Sequence, residues 1–208
     1  MAERAARERR RANDPEGMRR RLLDAAAAAF QSRGYHSTST QEVMREAGVT
    51  GGALHHHFPT KKALGLAVIR ERVAAAVEET WIAPFASAPT AAEGIRTVFG
   101  RILDGLNRRG TVVGCPLNNL ALELSLADTD FQSALGAVFE EWQAAVARKL
   151  HAERVAGTGA DEAEALAALI VASYSGAMAM AKAAQDTAPL EACARQLARL
   201  LDEPARRA

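Results

Sequence analysis

Aromatic residues are scarce in this 208-residue chain, at 5%, and cysteine is limited to Cys115 and Cys193. Two cysteines cannot build a disulfide framework, so a reducing cytoplasm is the expected compartment. A secretory signal is also lacking, because "MAERAARERRRANDPEG" is charged and has no apolar centre. The longest uncharged run, 165–181, covers 17 residues. That is short of the roughly 20 apolar residues of a spanning helix. The run is rich in Ala and holds Ser173, Tyr174 and Ser175. It reads as a buried helix, with no membrane partner. Strand-like alternation, hairpin signals and internal repeats are missing too.

What the chain does have is Ala-rich helical periodicity almost throughout. Leu22, Ala26, Ala29, Phe30 and Arg33 trace one face of a first helix that Gly34 ends. Ser39 and Glu42 are spaced as a capping box for a second helix, with Gly48 as its stop. A third runs from Thr50 to Phe58, capped by Thr50. A fourth is capped by Thr60 and reaches about Ala83, where Pro84 and Pro89 bracket a loop. Five more follow: Ala91–Arg109, one opening at Pro116, one carrying Phe131 to Leu150, about Asp161–Gln185, and one marked by Leu190, Cys193, Leu197 and Leu201. The expected fold is all-α with about nine helices. Three parts are expected: a flexible basic arm over 1–17, a three-helix head over 18–65, and a helical body over 66–208.

Net charge is only +1, but it is unevenly spread. Residues 1–65 hold 12 Lys and Arg against 7 Asp and Glu, while 66–208 hold 14 against 18. A basic head on an acidic body suggests that the head meets a polyanion. The segment "AERAARERRR" contains five Arg and two Glu, and reads either as a solvated leader or as an arm contacting phosphates or the minor groove.

Three of the five histidines fall together in "GVTGGALHHHF". Successive helical residues point about 100° apart, so His55, His56 and His57 cannot converge on one ion. Their i±4 partners supply no ligand, and no metal or other cofactor is expected. No nucleophile or carboxylate is spaced to orient an imidazole, which argues against an enzyme. A helix-turn-helix fits better. Its second helix enters the major groove of duplex DNA with its first residues nearest the base edges. Gly51 and Gly52 cost about 1 kcal/mol each in helix propensity, but let backbone amides approach a phosphate or base. Leu54 and Phe58 would pack inward, His55 and His56 outward, and His57 would bond neighbouring backbone.

The stretch "LLDAAAAAFQSRGYHSTSTQEVMREAGVTGGALHHHFPTKKAL" resembles the DNA-binding head of the TetR/AcrR family of bacterial transcriptional regulators. The match runs from about Arg19 to Leu64. It includes the apolar first helix, the Gly34-Tyr35 break, "AGVT", the "LxxHF" end of the recognition helix and the "K..L" start of the fourth. The resemblance implies a double-stranded DNA operator contacted by Ser39, Thr40, Thr50, Gly51, Gly52, Ala53, His55, His56 and Lys61. The family usually has Tyr where this chain has His55. With two glycines at the front of the helix, phosphates and DNA shape should carry much of the affinity.

Binding a palindrome requires a homodimer. In the eighth helix bulky Ile170, Tyr174 and Met178 form one stripe, and Ala168, Ala172, Ser175, Gly176, Ala179 and Ala183 another. With Leu197 and Leu201 of the ninth helix these resemble half of a four-helix dimer interface. Both stripes could instead lie within one subunit's core. The stretch "GTVVGCPLNNLALELS" resembles a segment of some family branches and suggests a site for a small-molecule inducer. Its candidate lining is Phe99, Leu103, Cys115, Asn119, Glu123, Phe139, Trp142, Tyr174 and Met178. Cys115 opens a helix, which would lower its thiol pKa and suit a reactive sensor; the alternative is an inert small hydrophobe. The expected function is a ligand-responsive repressor that an inducer releases from its operator. One alternative is a ligand-independent DNA-binding or co-regulatory dimer. The other is an enzyme using Cys115, Glu123 and His151.

Overall fold

The computed structural model describes residues 14–153 and 159–202. Nine helices are present among the described residues, with no strand. α1 (Pro15–Arg33) starts where the Asp14 carboxylate accepts from Gly17 N at 2.9 Å and Pro15 takes the first turn. The helix thus claims residues 15–17 from the arm expected over 1–17. The arginine-rich segment before it lies outside the described residues. Leu22, Leu23, Ala26, Ala29 and Phe30 are buried along α1. Arg33 does not share that face; it is exposed and pairs with Glu46 at 2.8 Å.

α2 (Thr40–Ala47) carries the expected capping box, Ser39 and Glu42 each accepting from the other's backbone N–H, and Gly48 closes it in the left-handed conformation. α3 (Gly51–His57) follows. Thr50 holds the N-cap position, but its side chain makes no capping bond, contrary to expectation. Three helices crossing over Leu22, Phe30, Val43 and Leu54 make the head.

α4 is one helical run over 61–87, interrupted by π turns at Ile69–Val73 and Glu78–Ile82. Pro84 does not begin a loop; it lies inside the run, in the segment Ala83–Ser87. The widened turn just before it accommodates a residue with no N–H to give and a ring that would crowd the preceding turn. The break comes at Ala88, and Thr90 caps α5 (Ala91–Arg109) by accepting from Glu93 N. α6 (Pro116–Leu124), α7 (Thr129–Ala152), α8 (Ala160–Ala184) and α9 (Ala188–Asp202) complete the body.

In the body α5 packs on α9, α7 on α8 and α8 on α9, with α4 wedged against α5 and α7. At 25 residues and a mean hydropathy of 1.4, α8 is long and apolar enough to cross a membrane, so the 17-residue run understated it. One face of it, with Ala167, Ile170, Val171, Tyr174, Met178 and Ala181, is inside the protein, and 39% of its most apolar 18-residue stretch is buried. It is the core helix of the body.

Head and body share one continuous core. At the junction the Tyr35 ring stands edge-on to Phe30 of α1 at 5.1 Å and to Phe131 of α7 at 5.2 Å. Gly65 of α4 permits this approach: a methyl group there would stand 2.8 Å from Tyr35 Cε2 and 3.0 Å from Phe131 Cε1. Both rings are interlocked and buried, so neither can move aside cheaply. Gly65→Ala gains helix propensity, about 1 kcal/mol, but overpacks the joint by about 1–3 kcal/mol. The expected net is a Tm several degrees below the parent in thermal melts; an unchanged or higher Tm would contradict this packing.

Candidate nucleic-acid interface and body cavity

The nine head residues named for DNA all lie at the surface, in two groups. Ser39, Thr40, His55 and Lys61 line one crevice between the starts of α2 and α4 and the face of α3. Thr50, Gly51, Gly52 and His56 are exposed beside it, and Ala53 is half-buried. Leu54 and Phe58, buried to 2% and 3% exposure, hold α3 to the head. The fold does not demand glycine at the start of α3. Neither glycine adopts a positive φ. A methyl group at Gly52 would meet nothing within 4 Å, and at Gly51 only Met44 Sδ at 3.8 Å.

Two side chains depart from expectation. His57 makes ring contacts, to His56 at 5.2 Å and Phe58 at 6.3 Å, and no side-chain bond to backbone among the described residues. Lys61 does not stand free in solvent. Its ammonium lies 4.4 Å over the Tyr35 ring and donates to the His36 carbonyl at 3.3 Å. Burial pushes its pKa down, opposed by the nearby Glu123 and Glu42. His36 was missed by the sequence reading and lines the same crevice; as a lone histidine outside a helix it gave no periodic signal.

The body holds a cavity of about 490 Å³ between α4, α5, α7, α8 and the start of α6. Cys115, Trp142, Tyr174 and Met178 line it, as expected. The other five named residues do not. Phe99 lies behind the wall, edge-on to Trp81 at 5.6 Å and Tyr174 at 5.7 Å. Leu103 faces the groove between α5 and α9. Phe139 is half-buried and stacks on Trp142, centroids 6.4 Å apart, from outside the cavity. Trp81, Arg101, Gly105, Arg108 and Arg109 were missed and do line it. The last four recur on one face of α5, a spacing the sequence offered.

Asn119 and Glu123 hold the head instead. The Glu123 carboxylate accepts from Tyr35 N at 2.8 Å and His36 N at 2.6 Å, across 88 and 87 residues of chain. It also lies against Gly34, whose φ of +89° and lack of a side chain let the turn close beneath it. Asn119 donates to the carbonyls of Gln31 at 3.3 Å and Val113 at 2.9 Å, and accepts from Lys182. Gln31 donates in turn to Gly114 O at 3.0 Å. Lys62 bridges to Asp128 and Asp130 at the start of α7, at 2.6 and 2.8 Å. α6 is thus at once a wall of the cavity and a clasp on the turn between α1 and α2.

This disposes of the three residues named for enzymatic chemistry. Glu123 is engaged by the head, His151 is exposed, and burial pushes the Cys115 thiol up. The expected lowering by the helix start is outweighed, which favours the inert reading of Cys115. On α8, Ala172, Gly176, Ala179 and Ala183 are exposed, while Ala168 and Ser175 are half-buried. Leu169 and Met180, half and 63% exposed, extend that stripe. Leu197 and Leu201 belong to the protomer's own core, at 5% and 9% exposure, because the amphipathic stripe of α9 faces α5. The exposed leucine of α9 is Leu200.

Residues 22–68 match the family model "Bacterial regulatory proteins, tetR family", and residues 91–196 match "Transcriptional regulator LmrA/YxaF-like, C-terminal domain". The chain is 27% identical over 180 residues to the HTH-type regulator YxaF of Bacillus subtilis, covering 86% of this chain and 92% of that one. It is equally identical over 180 residues to LmrA of the same organism, covering 83% and 90%. The solved structure of a regulatory protein TetR from Rhodobacter sphaeroides superposes with a TM-score of 0.75 at 28% identity, covering 87% of this chain and 97% of that one.

The clasp has a local signature. Glu123→Ala removes the acceptor of two backbone N–H groups without touching the core. Amide hydrogen exchange at Tyr35 and His36 is expected to accelerate at least several-fold while the interior of α7 stays protected. Unchanged exchange at both amides would show that the carboxylate does not hold the turn.

Proposed function

The chain belongs to the TetR family of bacterial transcriptional regulators, and from that premise we propose that it is a cytoplasmic repressor that binds a palindromic operator as a homodimer and is released by a small organic inducer. The family consists of DNA-binding regulators, generally repressors and typically dimers, and not of enzymes. The observation that carries the DNA reading is the exposed, glycine-led start of α3, anchored from behind by Leu54 and Phe58. Thr50, Gly51, Gly52 and Ala53 would meet phosphate or base edges, Ser39 and Thr40 a neighbouring phosphate at the start of α2, and His55 and His56 the groove. Lys61 would have to leave the Tyr35 ring to reach a phosphate. Two such helices about 34–36 Å apart would fit successive major grooves. The exposed stripe Leu169, Ala172, Gly176, Met180 and Ala183 supports α8 as the dimerising surface, since its small residues let a second helix come close.

Ligand response is supported by the cavity and by what its walls do elsewhere. α4 contributes Val77 and Trp81 to the cavity and Lys61 and Gly65 to the head joint. α6 contributes Cys115 and Pro116 to the cavity and Glu123 to the turn of the head. An occupant that parts these helices would tilt the head, with the pivot inside α4 near residue 65. A coupling of about 1–3 kcal/mol would suffice to lower operator affinity roughly 5- to 150-fold. The aromatic lining of this cavity, rather than its volume, favours a ligand site over a ligand-independent dimer, since grooves of about 440–590 Å³ occur elsewhere on the body.

The test uses fluorescence anisotropy with promoter DNA from the protein's own gene region. His55→Ala is expected to weaken binding. The double change Gly51→Ala with Gly52→Ala should raise the Tm, since each restores up to about 1 kcal/mol of helix propensity, yet weaken DNA binding about tenfold or more. A double variant more stable and equally tight would remove the close backbone approach from the account.

A further inference from the structure

The body is acidic, with 14 Lys and Arg against 18 Asp and Glu over 66–208. Its cavity is the reverse: Arg101, Arg108 and Arg109 line it, and no Asp or Glu does. Among the described residues none of these three arginines forms a salt bridge, although nine ion pairs occur elsewhere in the described structure. Arg108 and Arg109 sit in the last turn of α5, where they favourably oppose the negative end of the helix dipole. Arg101 is two turns earlier, so that explanation does not extend to it.

Deeper in, the chain's only two tryptophans share this wall with Tyr174. Trp81 lies 5.0 Å from Trp142 and 4.8 Å from Tyr174, centroid to centroid. The indole N–H of Trp142 is buried and without a partner, while that of Trp81 is buried beside the Tyr174 side chain without a well-formed hydrogen bond. Such donors are rarely left unpaired in a native interior. Gly105, on the same face of α5 as the arginines, leaves open space, since a methyl group there would meet nothing within 4 Å.

We infer that the cavity takes an amphipathic organic anion: an aromatic body against Trp81, Trp142 and Tyr174, and a carboxylate or sulfonate at the mouth among Arg101, Arg108 and Arg109. This rests on the reading of the cavity as the inducer site and supplies its ligand class. A hydrogen-bond acceptor on the ring system would pair the Trp142 indole donor after a small adjustment of the wall. The guanidinium groups would fix which end of the molecule enters first. An uncharged molecule of the same shape would forgo the cationic mouth and bind more weakly.

The test compares two probes on the purified full-length protein: anilinonaphthalene sulfonate and its uncharged counterpart N-phenylnaphthylamine, both followed by fluorescence. Arg101→Gln with Arg108→Gln, at exposed positions that leave folding intact, is expected to weaken the sulfonate about tenfold and the neutral probe hardly at all. Gly105→Phe, which fills the open space, should abolish both. Equal loss of both probes in the arginine variant, or sulfonate binding indifferent to Gly105→Phe, overturns the anion site. Operator binding is measured alongside. A sulfonate that binds as expected yet leaves the DNA complex unchanged supports the anion site and counts against the inducer reading.

Discussion

Tyr35 is gripped from every side. Its ring rests edge-on against Phe30 and Phe131, Lys61 lies over its face, and Gly65 clears the space it fills. Its amide donates to Glu123. This residue belongs to a short turn, yet it links four helices, and the orientation of the head on the body passes through it. Apolar contact supplies most of the adhesion there, and the Glu123 carboxylate supplies direction. The two act on the same turn, the ring through its packed faces and the carboxylate through the Tyr35 and His36 amides.

Most of the fold was legible because its signals are local. Capping by Ser39 and Glu42, the stop at Gly48, the cap at Thr60 and the opening proline at 116 all act within four residues of themselves, whereas the start of α1 at Pro15 lies inside the arm expected from the sequence. Apolar spacing gave the helices between. Pro84 misled, since a proline ordinarily marks a break and nothing in its neighbourhood announces a π turn. The head surface was legible for a different reason: its pattern is dense and continuous from Arg19 to Leu64.

The body was legible in outline and not in detail. Asn119 and Glu123 look like polar anchors beside an apolar stripe, which is equally the pattern of a cavity and of a joint. Their partners lie 88 residues away in the chain, so spacing carried no information about which was built. The same ambiguity governs α9. Leu197 and Leu201 form a regular stripe, but periodicity says only that one face is apolar, and not whether α5 or a second copy covers it. Arg101, Arg108 and Arg109 drew no functional expectation from the sequence, because the cavity they border forms only once α5 packs against α4 and α8.

α3 is seven residues long, opens on two glycines and has no side-chain cap. It owes its shape to little besides Leu54 and Phe58. Inherited damage to this regulator therefore need not fall on the surface proposed to meet DNA. A lesion that loosens those two anchors would free this one helix, and because it holds only seven residues the circular dichroism spectrum would barely change even as the lost core contacts lower the melting temperature. Screens that sort variants by solubility or overall helix content would pass such proteins as healthy, and only a melting curve or an assay of the genes under control would find them out.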